Sequence, residues 1–181
     1  VLRGPQSTLY GKNTTAGAIN ITTNQPTFDF QGKAEVSAGD LEFRQAKFAV
    51  SGPLTDSLAA RLAVSTTSRR GTIYNVTSGE WVNGQDNFGV RGQLLFRPSD
   101  DLAVTLSGDY SAQDPECCAQ IFVRAGATQR PLARQYAALA AALGYAPPSA
   151  NPFDRVTDVD ANLNAGNKIG GASARVVWNV G

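Results

Sequence analysis

The feature that most constrains this chain is a set of segments in which apolar and polar residues alternate one by one. A period of two is typical of strands whose two faces meet different surroundings. About six segments of roughly ten residues carry it, a length that crosses the core of a bilayer when the strand is tilted about 45°. They are 28–38, 43–51, 58–69, 88–97, 102–111 and 172–180.

After a first short turn at Gly39-Asp40, the connections alternate in length from the second segment onward. Short turns rich in Gly, Pro and Asp occupy 52–56 and 97–101, whereas long excursions occupy 70–86 and 113–167. Outer-membrane barrels place short turns at the periplasmic end and long loops outside. The sequence therefore predicts an all-β fold, part of a transmembrane antiparallel β-barrel, with a soluble β-sandwich as the alternative. The aromatic residues expected in its interfacial girdle are Phe28, Phe48, Phe96 and Trp178.

Composition excludes several classes of function. The chain has no histidine, so a His-based zinc site or catalytic triad is impossible here. A net charge of +1, with basic residues scattered along the chain, gives no footprint for nucleic acid. We expect neither an enzyme nor a cofactor. The chain begins at Val1 without a signal-peptide pattern, and we expect it to be a fragment of a longer protein.

The opening segment carries the most specific pattern. Three glycines and a proline divide it, and 18–23 alternates as a half-buried strand would. It resembles the C-terminal end of the plug domain of TonB-dependent outer-membrane receptors, which runs V-E-V-L-R-G-P-Q-x-x-L-Y-G-x-x-x-x-G-G-A-I-N-I-x-T. The matching residues are Val1, Leu2, Arg3, Gly4, Pro5, Gln6, Leu9, Tyr10, Gly11, Gly17, Ala18, Ile19, Asn20, Ile21 and Thr23.

This resemblance implies two domains, with the end of a plug at 1–26 and the first barrel strands at 27–181. The family's barrel has about 22 strands around a plugged lumen. The resemblance further implies a receptor in the outer membrane of a Gram-negative bacterium, which takes up a scarce small molecule, a ferric siderophore above all. Its partners would be TonB with the inner-membrane energising complex, outer-membrane lipid and a metal chelate. A secreted or surface β domain that binds or adheres without transport is the alternative.

The polar strand faces should then line the lumen. The candidate residues are Arg61, Arg69, Arg91, Arg97, Asp109 and Arg175. Their positive charge would attract anionic ligands or pair with acidic plug residues, and both readings stay open. We expect 1–23 to contact these polar faces and not to extend the barrel sheet, with Arg3 as a candidate for an ion pair.

The long excursion at 113–167 carries two further candidates. A loop helix is predicted by apolar residues at helical spacing, with Pro131 before them and Gly144 after: Leu132, Tyr136, Leu139 and Leu143. It would lie over the barrel mouth or, less favoured, on the membrane surface.

Cys117 and Cys118 favour a disulfide, either vicinal or to a partner elsewhere, while redox catalysis, soft-metal binding and free thiols remain open. Asp158, Asp160 and Asn162 imitate a calcium loop, but Leu163 and Ile169 replace its required Gly and Glu. We therefore expect no metal site.

Overall fold

The secondary structure consists almost entirely of antiparallel strands. A computed structural model describes residues 2–4 and 16–180. The strands are β1 (Leu2–Arg3), β2 (Gly17–Ala18), β3 (Gln31–Gly39), β4 (Phe43–Pro53), β5 (Leu58–Arg69), β6 (Ile73–Asn75), β7 (Glu80–Val82), β8 (Gln85–Phe96), β9 (Leu102–Gln113), β10 (Val156–Thr157) and β11 (Asn167–Trp178). The helices are α1 (Tyr136–Ala142) and two 3₁₀ turns, Leu132–Arg134 and Pro152–Asp154.

Six long strands form one sheet in the order β11-β9-β8-β5-β4-β3. Each strand pairs antiparallel with its neighbour, so the chain simply meanders. The predicted strands are confirmed, and so are the short turns at one end and the long loops at the other. Some boundaries differ, because the first strand begins at Gln31 and not at residue 28, β8 begins at Gln85 and not at residue 88, and β11 spans Asn167–Trp178 and not 172–180.

The register places every predicted apolar residue of these six strands on one face. One row across the sheet runs Phe48, Val64, Val90 and Tyr110. The neighbouring row, on the opposite face, runs Lys47, Ser65, Gly89 and Ser111. Phe48 lies at the middle of β4, so of the four predicted girdle aromatics only Phe96 and Trp178 end strands beside the short turns.

Burial on this sheet is the reverse of that in a soluble protein. Large apolar side chains on the apolar face are exposed, including Val36 at 83% and Leu106 at 49%. On the polar face, Ser51 is only 1% exposed and Gln93 only 5%. A soluble sheet hides its apolar face, whereas a membrane barrel turns that face to lipid and its polar face to the interior.

The stretch that leads into β3 explains part of this burial. The Thr27 amide and hydroxyl both donate to the Ser51 hydroxyl, at 2.9 and 3.1 Å. The Arg97 guanidinium lies over the Phe28 ring, 5.6 Å from its centroid. Phe28 therefore belongs to a segment that crosses the polar face, which is why the strand alternation begins only at Gln31.

The opening segment forms its own small ladder. Leu2 pairs with Ala18 and Arg3 with Gly17, so β1 and β2 are separate from the six-stranded sheet. The predicted strand at 18–23 ends at Ala18, because no described residue offers a partner strand to Ile19 or Ile21. The predicted motif residues Pro5, Gln6, Leu9, Tyr10 and Gly11, together with Val1, lie outside the described residues.

The two long loops share a second, three-stranded sheet that the sequence did not reveal. β6 and β7 form a hairpin, and β10 from the longer loop adds to β6 in parallel. Gly71 is required at the base of the hairpin, because a Cβ there would lie 2.4 Å from the Val82 carbonyl oxygen. The two loops therefore form one ordered unit, here called the loop unit (residues 70–84 and 114–166).

The predicted helix at 130–144 is divided in two. Gln135 is extended, and its side chain bonds to the Thr128 and Arg130 carbonyls, so a 3₁₀ turn precedes it and α1 follows. Gly144 ends the helical region with a φ of +64°. None of the described helices has the length and apolar character needed to span a membrane.

Adjacent positions on β9 test the two faces at one depth. In the full-length protein, Leu106→Arg should lower the free energy of unfolding from a bilayer by about 2–4 kcal/mol, because a cation would face hydrocarbon. Ser107→Arg should cost less, about 1 kcal/mol, since the side chain faces the polar side and the loss is the 3.3 Å bond from the buried Gln93. Denaturant titration of protein refolded into phospholipid vesicles measures both. Equal penalties would contradict the lipid-facing assignment.

Candidate functional site

The strongest ion pair on the polar face joins β8 to β9. The Arg91 guanidinium donates to the Asp109 carboxylate at 2.7 Å, and the register places these two residues directly opposite. The buried Arg91 Nε has no partner among the described residues. A second pair, Lys47 with Glu35 at 3.1 Å, joins β4 to β3. Two of the cations on this face are therefore neutralised within the sheet.

The predicted lumen residues share the polar face but do not form one cluster. Arg61, Arg69, Arg91, Asp109 and Arg175 all follow the polar register. Arg97 lies just beyond β8 and stacks on Phe28 instead. The structure brings only Arg91 and Asp109 into contact among these candidates.

Polar groups differ between the two ends of this face. Toward the short turns lie Arg61 and Arg175, beside Ser51 and Thr105 respectively. Toward the loops, Arg69 lies opposite Gln85, and Asn87 lies opposite Gln113. Side-chain amides therefore dominate the loop end, and guanidinium groups dominate the turn end.

A cavity of about 460 Å³ lies over these amides. Arg69, Gln85, Asn87 and Gln113 form its floor, and the segment 115–118 forms its opposite wall. Within the described part of the chain, no hydrogen bond engages the side-chain amides of Gln85, Asn87 or Gln113. Gln85 and Asn87 are half-buried and Gln113 is exposed, so their side-chain amides are available to form hydrogen bonds with a ligand.

Asn83 holds the opposite wall of this cavity in place. Its Oδ1 accepts from the Cys118 and Ala119 amides at 3.2 and 2.9 Å, and its Nδ2 donates to the Ala119 carbonyl at 2.9 Å. Arg69 in turn donates to the Asn83 carbonyl at 3.3 Å. One asparagine therefore links the hairpin loop, the long loop and the strand wall.

Cys117 and Cys118 are joined in a vicinal disulfide beside the same contact. The Cys117 amide donates to the Leu163 carbonyl at 2.7 Å, which ties the start of the long loop to its end. Cys118 has a φ of +104°, a conformation that a non-glycine residue rarely adopts. The ring and the Asn83 contacts together fix the shape of the wall at this point.

The interior of the loop unit is small and largely polar. Asn75 and Thr157 are buried, with Asn75 donating to the Val159 carbonyl and Thr157 to the Gln120 carbonyl. Asp158 accepts from the Tyr145 hydroxyl, and this hydrogen bond raises the pKa of Tyr145 above its usual range. Asp158 thus serves the loop contacts, and the described residues contain no group of three or more potential metal ligands.

A second cluster sits where the hairpin meets the sheet. The Arg70 guanidinium lies 4.4 Å from the centroid of Trp81, and Tyr74 packs edge-on against the same ring. Glu42 lies 3.9 Å from Arg70 and contributes little to stability at this separation.

Sequence reasoning missed this cluster, Asn83 and the amides of the cavity, because none of them forms a motif along the chain. The period-two register of 85–87 was the one available signal.

Comparison with known proteins points to one group of receptors. The chain is 43% identical to the ferrioxamine B receptor of Salmonella typhimurium over 65 residues, which is 35% of this chain and 9% of that protein. It is 32% identical to the iron-regulated outer membrane virulence protein of Vibrio cholerae over 125 residues, 64% of this chain and 18% of that protein. No family model matches the chain.

A solved structure agrees with these relatives. The chain superposes on the crystal structure of the ferric yersiniabactin uptake receptor FyuA from Yersinia pestis with a TM-score of 0.63 and 27% identity. The match covers 67% of this chain and 20% of that one. The chain thus spans at most about a fifth of these proteins. By their names, all three are receptors or outer-membrane proteins.

The contribution of Asn83 can be isolated, because its φ of +64° is one that glycine also adopts. In the full-length protein, Asn83→Gly keeps the backbone but removes three hydrogen bonds to the long loop. The segment around Ala119 should then open more readily, by about 1–3 kcal/mol, without loss of barrel stability. Hydrogen exchange followed by mass spectrometry measures this.

Asn151→Gly is the control, because among the described residues the Asn151 side chain bonds to Phe153 and Asp154, which are nearby in the chain. Equal protection around Ala119 in wild type and Asn83→Gly would show that Asn83 does not hold the wall.

Proposed function

Because this chain belongs to the TonB-dependent outer-membrane receptors, we propose that the whole protein takes up a ferric siderophore across the outer membrane, energised through TonB. The chain is an outer-membrane segment, and its six long strands are part of a transmembrane β-barrel. A barrel closes with at least eight strands, so the proposal concerns the complete protein.

The observation that carries this proposal is a sheet whose apolar face is exposed and whose polar face is covered, with the ordered loop unit at one end. The apolar face is exposed along six strands, while the polar face is the more covered one. Loops on the external side of such a barrel are where a ligand arrives. A secreted adhesion domain would have no reason to place a continuous apolar band on the outside of its sheet.

We assign the polar face to the lumen and residues 1–26 to the end of the plug. The support is the course of the chain before β3, where Thr27 bonds to Ser51 and Phe28 lies beneath Arg97 on that face. A plug must enter the barrel through its interior, and this approach is consistent with that path. Polar contacts of this kind can break and reform when TonB pulls on the plug.

The loop unit is the proposed ligand side of the receptor. Its parts are held by side-chain bonds between distant residues, such as Asn75 with Val159 and Thr77 with Asp158. Such cross-links keep the loop surface in one arrangement before the ligand arrives, and preorganisation reduces the entropy lost on binding.

Shortening the long loop tests where the ligand is recognised. Residues 121–153 can be replaced by a short Gly-Ser linker, because the Gln120 carbonyl already lies 2.8 Å from the Thr157 hydroxyl. In cells that lack other siderophore receptors, this variant should assemble but lose at least about tenfold in uptake of radiolabelled ferric siderophore, since most of the loop surface is gone.

The control is Ser99→Gly in the short turn at the opposite end, which should leave uptake unchanged. Assembly is read from heat-modified gel mobility of the outer-membrane fraction. Recovery of the full-length protein as a soluble secreted product would contradict the receptor assignment, while unchanged uptake in the shortened variant would move recognition to other loops.

A further inference from the structure

The loop end of the polar face carries three side-chain amides beside one arginine. Its four floor residues form a stepped row across β5, β8 and β9, in which Arg69 pairs with Gln85 and, one level nearer the short turns, Asn87 pairs with Gln113. Gln85 and Asn87 are half-buried, and neither they nor Gln113 has a side-chain hydrogen-bond partner among the described residues. These amides therefore have donors and acceptors to offer a ligand.

The formal charges around the cavity balance. Its lining holds one guanidinium, Arg69, and one carboxylate, Glu116. Farther down the wall, Arg91 and Lys47 are already paired with Asp109 and Glu35. Among the other described cations of this face, Arg61 and Arg175 form no ion pair and lie toward the short turns, where Arg97 stacks on Phe28. A polyanion bound in the cavity would thus meet no excess of positive charge there.

We propose that this cavity binds an uncharged, amide- or hydroxyl-bearing part of the ligand. Each amide presents one carbonyl acceptor and two N–H donors, so the floor complements groups that likewise combine donors and acceptors. The inference rests on the proposed function, and it narrows the siderophore to a ferric chelate of low net charge, such as a trihydroxamate. A trianionic ferric tricatecholate does not fit this wall.

The wall opposite the amides is held in one position. The turn at Cys117–Cys118 is closed by its disulfide and held by Asn83, so the wall opposite the amides keeps its position. A hydrogen-bonding site discriminates strongly only when its groups cannot move to satisfy one another. The cavity therefore selects by matching polar groups and not by closing around any ligand.

The test uses the purified full-length receptor in detergent and two probes, a neutral ferric trihydroxamate and a trianionic ferric tricatecholate. The affinity of wild type should be at least about tenfold higher for the trihydroxamate. Asn87→Ala and Gln113→Ala should each weaken trihydroxamate binding by about 3- to 10-fold, the loss of one hydrogen bond. Gln113→Lys should strengthen tricatecholate binding and weaken trihydroxamate binding.

Gln45→Ala is the matched control, because Gln45 is an amide of the same face that bonds to Thr67 and does not line the cavity. It should leave both affinities unchanged. Heat-modified gel mobility confirms that each variant is assembled.

The outcomes separate the two proposals. Binding of the tricatecholate in preference to the trihydroxamate, or trihydroxamate binding that is indifferent to Asn87→Ala and Gln113→Ala, would overturn the assignment of the cavity but leave a siderophore receptor. An assembled receptor that binds neither ferric chelate would overturn the siderophore assignment and this inference with it.

Discussion

The exposure of the apolar face of the sheet, with the polar face covered, is the constraint on which the rest of this structure depends. Six strands with an exposed apolar face cannot persist in water, since a contiguous apolar surface of that size would aggregate. In a bilayer the same face is solvated by lipid, and the strands need no apolar core beneath them. The polar face is then free to carry Arg91, Asp109, Lys47 and Glu35, paired across neighbouring strands.

The same constraint determines how the loops fold. Because the apolar residues of the strands face lipid, the loop unit must be stabilised without them. Its buried residues are few and small, including Val82 and Ala119, and two of them, Asn75 and Thr157, are polar. Hydrogen bonds from side chains to distant backbone groups therefore replace apolar burial here. Such bonds are directional, so they hold the loops in one arrangement more sharply than an apolar contact would.

The sequence predicted the strands well because each one separates polar from apolar residues over many positions. β6, β7 and β10 were missed because ladders of two or three residues have no measurable period. Phe28 continued the alternation but lies under Arg97, a contact that only the folded chain reveals. Similarly, Gln135 breaks the predicted helix through bonds to Thr128 and Arg130 that no helix signal encodes. The amides of the cavity were missed because their shared face becomes a site only once the loop covers it.

The gradient of side-chain chemistry along the polar face follows from what each end must do. At the loop end, Gln85, Asn87 and Gln113 can exchange hydrogen bonds with a ligand at little electrostatic cost, because no formal charge loses its hydration. At the turn end, Arg61 lies beside the buried Ser51, close to where the chain enters the sheet. In the proposed arrangement, guanidinium groups there are placed to hold carboxylates of the plug until it is pulled. If further arginines stood beside Arg69 in place of these amides, the loop end would instead retain anions, and recognition would then depend on charge more than on the arrangement of donors and acceptors.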